Sequence, residues 1–455
     1  MASQETARME NVIARLERIP FSFWHVKMRA IVGIATFFDA FNSVTIAYVL
    51  PVLIPLWNIA PTGAGLLIST GYLGQLVGAV LFGILAERIG RVKSLTLSVA
   101  ILGFMSLACF FSQNYTSLLI FRFIQGLGLG GEVPIAATYI NELSRAESRG
   151  RFTLLYQLVF VMGMVAASLV GFWVVPRFGW RYLFLIGVLP AFALPLFLRF
   201  LPESPRWLVS HKRLGEAENV VQRLEEIVSA EIKEEMPPVG DISTRQPVQK
   251  KTDWRELFQG IYLRRTLTVW VIWFSAYFVT YGLTTWLPSL YSSVFELPLE
   301  QSLKFGLITN AAGLLGSFVS ALVIDRIGRK AWFTGAFLGG AIFLLLLWNT
   351  GTANPYSVLI YVSLSYMFIA SISLALYLYS PEIYPTRIRA LGSSVGSAWL
   401  RIASTIGPYV VGVIVAQHSL GLAFAMFGVV SLLGAVITGI FAIETKGRVL
   451  EEISP

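Results

Sequence analysis

Four charged side chains of this sequence lie deep inside apolar stretches, where an ionised group is costly. They are Asp39, Arg122, Glu132 and Arg401. Charges in such stretches are rare and mark binding sites or proton paths. Arginine offers five donors in a planar fork that suits a carboxylate held at two points, so Arg401 is a candidate anion ligand. Asp39 and Glu132 are candidate proton-binding groups, and the alternative for all three is a permanent structural ion pair.

The elements that must position these charges are apolar runs of about 20 residues. Hydrophobic residues make up 55% of the 455 residues and charged residues only 13%, whereas a soluble domain carries about 25% charged residues. A run of that length crosses about 30 Å of hydrocarbon as a helix, and a helix satisfies its own backbone. The pattern predicts an all-α membrane protein of twelve transmembrane helices. The predicted spans are 30–54, 65–86, 94–112, 116–142, 152–175, 180–200, 266–290, 302–324, 332–348, 355–380, 391–416 and 421–443.

Three of the four charges lie at the same depth in their spans. Asp39 is nine residues from the inner end of its span, and Glu132 and Arg401 are each ten residues from theirs. At about 1.5 Å per residue this is about 15 Å, half of the hydrocarbon thickness. We therefore expect one site at the membrane midplane. Polar and aromatic residues that are further candidates for substrate binding are Asn42, Tyr72, Gln75, Asn310, Tyr366 and Trp399.

The distribution of basic residues predicts the orientation. With the N-terminus placed in the cytoplasm, 30 of the 35 Lys and Arg residues fall in cytoplasmic segments and three fall outside. This asymmetry follows the positive-inside rule and predicts that both termini are cytoplasmic. The net charge of +9 therefore reflects the basic residues of the predicted cytoplasmic segments and does not indicate nucleic-acid binding. Three scattered histidines and the single Cys109 provide no metal-ligand spacing.

An internal repeat divides the chain into two halves. The segment 83–91 aligns with 321–329 at an offset of 238 residues, and 142–149 aligns with 382–389 at an offset of 240. We expect a six-helix half at 1–201, a cytoplasmic central loop at 202–264 and a second half at 265–455, with the solute path between the halves. Charged repeat residues that are candidates for an inner gate, or alternatively for a solvated topogenic signal, are Glu87, Arg88, Arg91, Glu142, Arg149, Asp325, Arg326, Arg329, Glu382 and Arg389.

These motifs resemble those of the major facilitator superfamily over nearly the whole chain. The segment 83–91 is similar to its Gly-x-x-x-Asp-Arg-x-Gly-Arg motif, with Glu87 in place of the aspartate. The segment from Arg122 to Gly131 is similar to its second motif, and Pro-Glu-Ser-Pro-Arg-Trp at 202–207 is shared by its sugar-porter and organic-ion branches. The resemblance implies solute transport by alternating access, with Arg122 as a partner in proton coupling or in a packing ion pair.

Two shorter patterns favour one branch of that superfamily. Phe38-Asp39-Ala40-Phe41-Asn42 resembles the motif of aromatic-acid/proton symporters, except that Asn42 replaces the second acid. The segment 130–134 is similar to that of nicotinate permeases and related metabolite symporters. The resemblance implies a monomeric, multi-pass importer of a small organic anion in a bacterial inner membrane, driven by the proton gradient without a cofactor.

Other functions are left open by the sequence. An exporter, a sugar or organic-cation porter of the same fold, and a membrane sensor that does not transport are the alternatives. Catalysis is not expected, because the sequence contains no nucleophile–base pair, metal cluster or nucleotide-binding loop.

Overall fold

The secondary structure is helical wherever the chain is described. The computed structural model describes residues 2–143, 149–192, 200–232, 237–238, 254–417 and 419–447. The α-helices of the N-terminal part are α1 Ala2–Arg18, α2 Phe23–Leu56, α3 Pro61–Ile89, α4 Arg91–Phe110, α5 Tyr115–Glu142, α6 Arg149–Phe178 and α7 Arg181–Ile186. The remaining α-helices are α8 Pro205–Ser210, α9 Leu214–Ile232, α10 Gly260–Ser293, α11 Leu299–Ile327, α12 Arg329–Thr350, α13 Pro355–Glu382, α14 Thr386–Ala416 and α15 Leu420–Phe441.

The predicted membrane spans correspond to these helices. Eleven helices of the described segments are long and apolar enough to cross a bilayer. The sixth predicted span, 180–200, begins as a shorter apolar helix at Arg181–Phe192, and its residues 193–199 lie outside the described part. Several helices continue past the predicted ends because a helix does not stop at the hydrocarbon boundary; α2 and α10 have 34 residues each. The prediction of an all-α membrane protein is confirmed.

The internal repeat has the same local geometry in both copies. Gly90 and Gly328 join consecutive helices with φ values of 106° and 102°, a backbone region that favours glycine. Glu203 accepts a hydrogen bond from the Arg91 backbone N–H at 2.9 Å, and Glu444 accepts the equivalent bond from Arg329 at 2.9 Å. Each glutamate thus satisfies the free N–H groups that begin the next helix.

Glycines allow the helices around the site to pack closely. A Cβ atom added at Gly126 or Gly130 would collide with the backbone of α3, and one added at Gly128 would lie 2.7 Å from the Ser98 carbonyl of α4. These positions hold α3, α4 and α5 together and fix the depth of Glu132, which belongs to the same run of helix.

In the described segments, helices of the two predicted halves pack against each other, and these contacts include α3 with α14, α2 with α10 and α6 with α11. The backbones of α3 and α14 approach closely at Gly65, where an added Cβ would lie 2.8 Å from the Pro408 carbonyl and 3.3 Å from Gly412 Cα. The division of the chain at residues 201 and 264 stays a prediction.

The N-terminal helix packs on the central loop, which the sequence did not predict. Val12 and Leu16 of α1 share an apolar core with Val221 and Leu224 of α9. Arg15 and Arg18 both form ion pairs with Glu225, at 2.5 and 2.7 Å. The amphipathic pattern of α1 is therefore explained by α9, which covers its apolar face.

Candidate functional site

Asp39 and Glu132 approach each other from α2 and α5. Both side chains are buried, and their carboxyl groups are within hydrogen-bonding reach. Thr36, three residues before Asp39, donates a hydrogen bond to Glu132 Oε1 at 3.0 Å and so fastens α5 to α2. Among the described side chains, Asp39 Oδ2 and Glu132 Oε2 are enclosed atoms without a hydrogen-bond partner. Two carboxyls this close bind a shared proton readily, because two adjacent negative charges repel each other in a dry interior.

Arg401 faces this carboxyl pair from α14. Its charge acts on both Asp39 and Glu132, so the three groups form one electrostatic cluster. Within the described residues, Arg401 has no carboxylate at ion-pair distance, and its only side-chain partner is Gln75, which accepts a hydrogen bond from Nη1. Arg401 is half-buried, and its remaining guanidinium nitrogens are not sealed from solvent. The fork of Arg401 is therefore open to an added anion.

A chain of hydrogen bonds joins the arginine to the acids. Gln75 on α3 accepts from Arg401 and donates from Nε2 to Ser43 Oγ at 3.2 Å. Ser43 in turn donates to Asp39 Oδ1 at 3.4 Å. These hydrogen bonds connect Arg401 to Asp39 through Gln75 and Ser43.

Three tyrosine side chains lie near Arg401. Tyr72, Tyr281 and Tyr377 lie within electrostatic reach of its guanidinium. The rings of Tyr72 and Tyr281 are 4.8 Å apart at 52°, and Tyr281 stacks on Tyr277 at 5.9 Å. Tyr281 was not singled out from the sequence. The signal for it was the i, i+4 spacing of Trp273, Tyr277 and Tyr281, which places all three on one face of α10.

A second polar group lies on the far side of these tyrosines. Asn310 Nδ2 donates to Tyr48 at 3.0 Å and to Ser168 at 2.9 Å, so it links α11 to α2 and α6. Tyr366 lies within electrostatic reach of both Tyr48 and Tyr281. In the described part of the chain, Asn310 Oδ1 is buried without a hydrogen-bond partner. Asn310 and Arg401 thus mark two ends of one tyrosine-lined region.

Asn42 has no hydrogen-bonding capacity left for a substrate in this conformation. Its amide donates to the carbonyls of Phe38 and Gly187, at 2.9 and 3.2 Å. Its Oδ1 accepts from Ser106 at 3.2 Å and from Gln125 at 3.3 Å. The residue is fully buried and joins α2 to α4, α5 and the segment that follows α7. Its predicted contact with substrate stays a prediction.

Arg122 is enclosed beside Asn42. Its Nη1 donates to the Asn42 carbonyl at 3.1 Å and to Gln125 Oε1 at 2.6 Å. The side chain is 1% exposed, and no acidic side chain of the described segments lies within ion-pair distance of it. Its Nε and Nη2 atoms are buried without partners. Neither the predicted packing ion pair nor the predicted role in proton coupling is tested by these contacts, and both stay predictions.

Trp399 does not lie on the same side of α14 as Arg401. Its ring packs against Trp270 at 5.3 Å and against Phe274 at 6.2 Å. Residues two apart in a helix are about 200° apart around its axis, so the two side chains point in nearly opposite directions. Trp399 was a candidate for contact with a flat substrate because it is close to Arg401 in sequence. In the structure, tyrosine side chains and not Trp399 lie next to the Arg401 guanidinium.

The candidate gating residues form pairs within each repeat copy. Arg91 contacts Glu87 at 2.9 Å and Glu142 at 2.8 Å, and the repeat copy pairs Arg329 with Asp325 and Glu382 at 2.8 and 3.1 Å. Arg88 and Arg326 are exposed, and Arg389 donates to the Tyr384 carbonyl at 3.2 Å. Arg149 begins α6, and its side chain lies outside the described part. Their predicted role as a gate between the halves stays a prediction.

This arrangement of long apolar helices around buried charges is that of a membrane protein, and sequence comparison identifies its class. Residues 31–455 match the family described as "Sugar (and other) transporter". The chain belongs to this family, part of the major facilitator superfamily. It is a multi-pass membrane transporter of small molecules and not an enzyme.

Among its relatives are two proteins whose names refer to niacin. The chain is 35% identical to the "Niacin transporter NiaP" of Acinetobacter baylyi over 97% of this chain and 99% of that protein. It is 32% identical to the "Putative niacin/nicotinamide transporter NiaP" of Bacillus subtilis over 93% and 98% of the two chains. The "4-hydroxybenzoate transporter PcaK" of Acinetobacter baylyi is 26% identical over 92% of each chain.

Solved structures share the fold. A structure described as "Crystal structure of D-xylose-proton symporter" superposes with a TM-score of 0.72 over 94% of this chain and 100% of that chain. Its sequence identity is 20%, so the likeness concerns the arrangement of the helices and not the solute.

Proposed function

We propose that this protein imports a small aromatic or heteroaromatic monocarboxylate, with nicotinate as the leading candidate, together with protons. The observation that carries the proposal is the open guanidinium fork of Arg401 beside the Asp39–Glu132 pair. A carboxylate that leaves water needs a fixed counter-charge, and a charge-assisted hydrogen bond provides about 1.5–3 kcal/mol. The names of the related niacin and 4-hydroxybenzoate transporters are consistent with such a substrate.

The tyrosines support an aromatic substrate. Tyr281 lies within electrostatic reach of Arg401 and stacks on Tyr277, so an aromatic side chain stands next to the guanidinium that would bind the carboxylate of a flat ring. Asn310, at the other end of the tyrosine-lined region, can bond to a ring heteroatom or substituent. The site is therefore matched to a ring with one acidic group better than to a sugar.

The proton enters through the carboxyl pair. Protonation of Asp39 or Glu132 removes a negative charge next to Arg401 and frees the guanidinium for the substrate carboxylate. Proton and anion then favour each other's binding, which is what symport requires.

We assign the protein to the bacterial inner membrane as a monomer with cytoplasmic termini, on the strength of its basic cytoplasmic segments and bacterial relatives.

Uptake into proteoliposomes tests this function. The purified protein is reconstituted, and radiolabelled nicotinate, 4-hydroxybenzoate, nicotinamide and xylose are offered with and without an inward-directed proton gradient. We expect the gradient to drive accumulation of the two carboxylates and not of the amide or the sugar. Accumulation of xylose or nicotinamide in preference to the acids would overturn the proposal.

A further inference from the structure

Within the described chain, the hydroxyl group of Tyr281 is unpaired and accessible. The residue is 2% exposed, and no described residue forms a hydrogen bond with its hydroxyl. The hydroxyl is nevertheless not enclosed, unlike that of Tyr291 on the same helix, which is buried without a partner in the described segments. A molecule bound in the site can therefore reach the hydroxyl of Tyr281.

The other tyrosines near Arg401 use their hydroxyls within the protein. Tyr72 donates to a backbone carbonyl of α2 at 3.5 Å. The hydroxyl of Tyr377 is in hydrogen-bonding contact with that of Tyr277, which also donates to a backbone carbonyl of α13 at 3.4 Å. Of the described tyrosines near Arg401, Tyr281 is thus the one whose hydroxyl remains for a substrate.

Contacts with α3 place Arg401 and Tyr281 about one helical turn apart. Gln75 accepts the hydrogen bond from Arg401, and the ring of Tyr72 contacts that of Tyr281 with centroids 4.8 Å apart. Residues three apart in a helix lie on the same face and are separated by about 4.5 Å along its axis. The guanidinium and the Tyr281 side chain therefore border the same stretch of the site, and Tyr281 is within electrostatic reach of the guanidinium.

Packing holds the ring of Tyr281 in place before a substrate binds. The ring contacts Tyr72 at an interplanar angle of 52° and stacks on Tyr277 at 25°, with centroids 5.9 Å apart in the second pair. A donor that is already positioned loses little conformational freedom when it binds, so more of its hydrogen-bond energy contributes to affinity.

We propose that Tyr281 donates its hydroxyl to the substrate carboxylate and forms, together with Arg401, a two-residue carboxylate site. The inference rests on the proposed function and adds a second ligand to it. Arg401 supplies the positive charge from α14, and Tyr281 supplies a neutral donor from α10, so the carboxylate is bound from two helices. A hydrogen bond to a carboxylate is about twice as strong as one between neutral groups, so the hydroxyl favours an acid over its amide.

Isothermal titration of Tyr281→Phe with nicotinate and nicotinamide tests the proposal. The variant keeps the ring and removes a hydroxyl without a partner in the described chain, so its unfolding temperature should equal that of the wild type. We expect the affinity for nicotinate to fall about tenfold and the affinity for nicotinamide to fall less. Tyr291→Phe is the matched control on α10, because its hydroxyl is enclosed and its removal should leave both affinities unchanged.

The combination with Arg401→Ala gives a readout that a structural role would not change. Without the guanidinium, the carboxylate is no longer held beside the hydroxyl, so Tyr281→Phe should cost less affinity for nicotinate in that background. Unchanged nicotinate affinity in Tyr281→Phe, the same loss with and without Arg401, or a lowered unfolding temperature would overturn the role of the hydroxyl and leave the proposed function intact. Equal affinity of the wild type for acid and amide would instead refute the proposed function, and this inference with it.

Discussion

The carboxyl groups of Asp39 and Glu132 lie within hydrogen-bonding reach although 93 residues separate them, and both face Arg401. They are held on two helices that Thr36 fastens together, so their separation is set by packing and not by a flexible loop. In the proposed function, the charge of Arg401 is balanced either by an ionised carboxylate of this pair or by an incoming anion, and protonation of the pair decides between the two.

The first prediction concerns this carboxyl pair. Asp39→Asn and Glu132→Gln should abolish nicotinate uptake driven by a pH gradient, because neither amide can release a proton. Exchange of preloaded nicotinate should partly survive, because exchange needs no net proton movement. Uptake and exchange are measured in the same proteoliposomes. Concentrative uptake equal to that of the wild type in both variants would remove the two acids from the mechanism.

The second prediction concerns the contact between Gly65 and the Pro408–Gly412 turn of α14. Gly65→Trp cannot fit there, because even a Cβ atom would lie 2.8 Å from the Pro408 carbonyl. The variant should keep α3 and α14 apart at that end and stop transport while the protein remains folded. Gly83→Trp on the same helix is the control, since an added Cβ at Gly83 meets no atom within 4 Å. Normal transport by Gly65→Trp would show that this contact need not form in the cycle.

The third prediction concerns the inner face. Glu87→Arg and Asp325→Arg reverse charges that contact Arg91 and Arg329 at 2.9 and 2.8 Å. We expect both variants to destabilise the state that is closed to the cytoplasm and to shift the population inward. A Ser394→Cys reporter, two helical turns before Arg401 and exposed, should then react faster with a thiol reagent. Unchanged labelling in both variants would assign these acids to topology alone.

The fourth prediction concerns the cap formed by Glu444. Burial opposes its ionisation, but hydrogen bonds from the backbone N–H groups of Lys446, Arg329 and Lys330 outweigh it and hold the pKa of Glu444 below its ordinary value. Its ionised form therefore stabilises the fold above its ordinary pKa of about 4.3, and this contribution is lost as the pH falls through the lowered pKa. Glu444→Gln should lower the unfolding temperature in detergent at pH 7 and match the wild type once the pH is below the lowered pKa of Glu444.

Glu10→Gln on α1 is the matched control for that experiment, because Glu10 is exposed and has no partner in the described segments. It should leave the unfolding temperature unchanged at both pH values. If the unfolding temperature of Glu444→Gln stays below that of the wild type by the same amount at acid pH, the effect comes from packing and not from the carboxylate.

The sequence predicted the elements and the charges of the site better than its aromatic lining. Hydropathy located the spans because lipid imposes one length and one composition on every helix. Helical rise placed Asp39, Glu132 and Arg401 at one depth, and the structure brings them together. The depth of a residue in its span does not determine which side of the helix its side chain projects from, however. Trp399 was therefore predicted to belong to the Arg401 site, although its position on α14 directs it toward Trp270.

Other features depend on contacts between distant segments, which a single sequence does not show. The saturation of Asn42 arises from Gly187 and Gln125, whose proximity follows from the packing of the N-terminal helices. The docking of α1 on α9 depends on ion pairs between residues more than 200 positions apart. A single sequence does not show which surfaces of such helices will be covered.

The fifth prediction, and the most direct test of the central claim, is the affinity of Arg401 variants for an acid and its amide. Nicotinate and nicotinamide binding is measured by isothermal titration with wild type, Arg401→Lys and Arg401→Ala. We expect Arg401→Ala to lower nicotinate affinity about tenfold to a hundredfold and Arg401→Lys to lower it less, because lysine keeps the charge and loses the fork. Nicotinamide should bind wild type weakly and lose little more in either variant. Equal affinity of the wild type for acid and amide, or full nicotinate affinity in Arg401→Ala, would contradict the assignment of Arg401 as the carboxylate site.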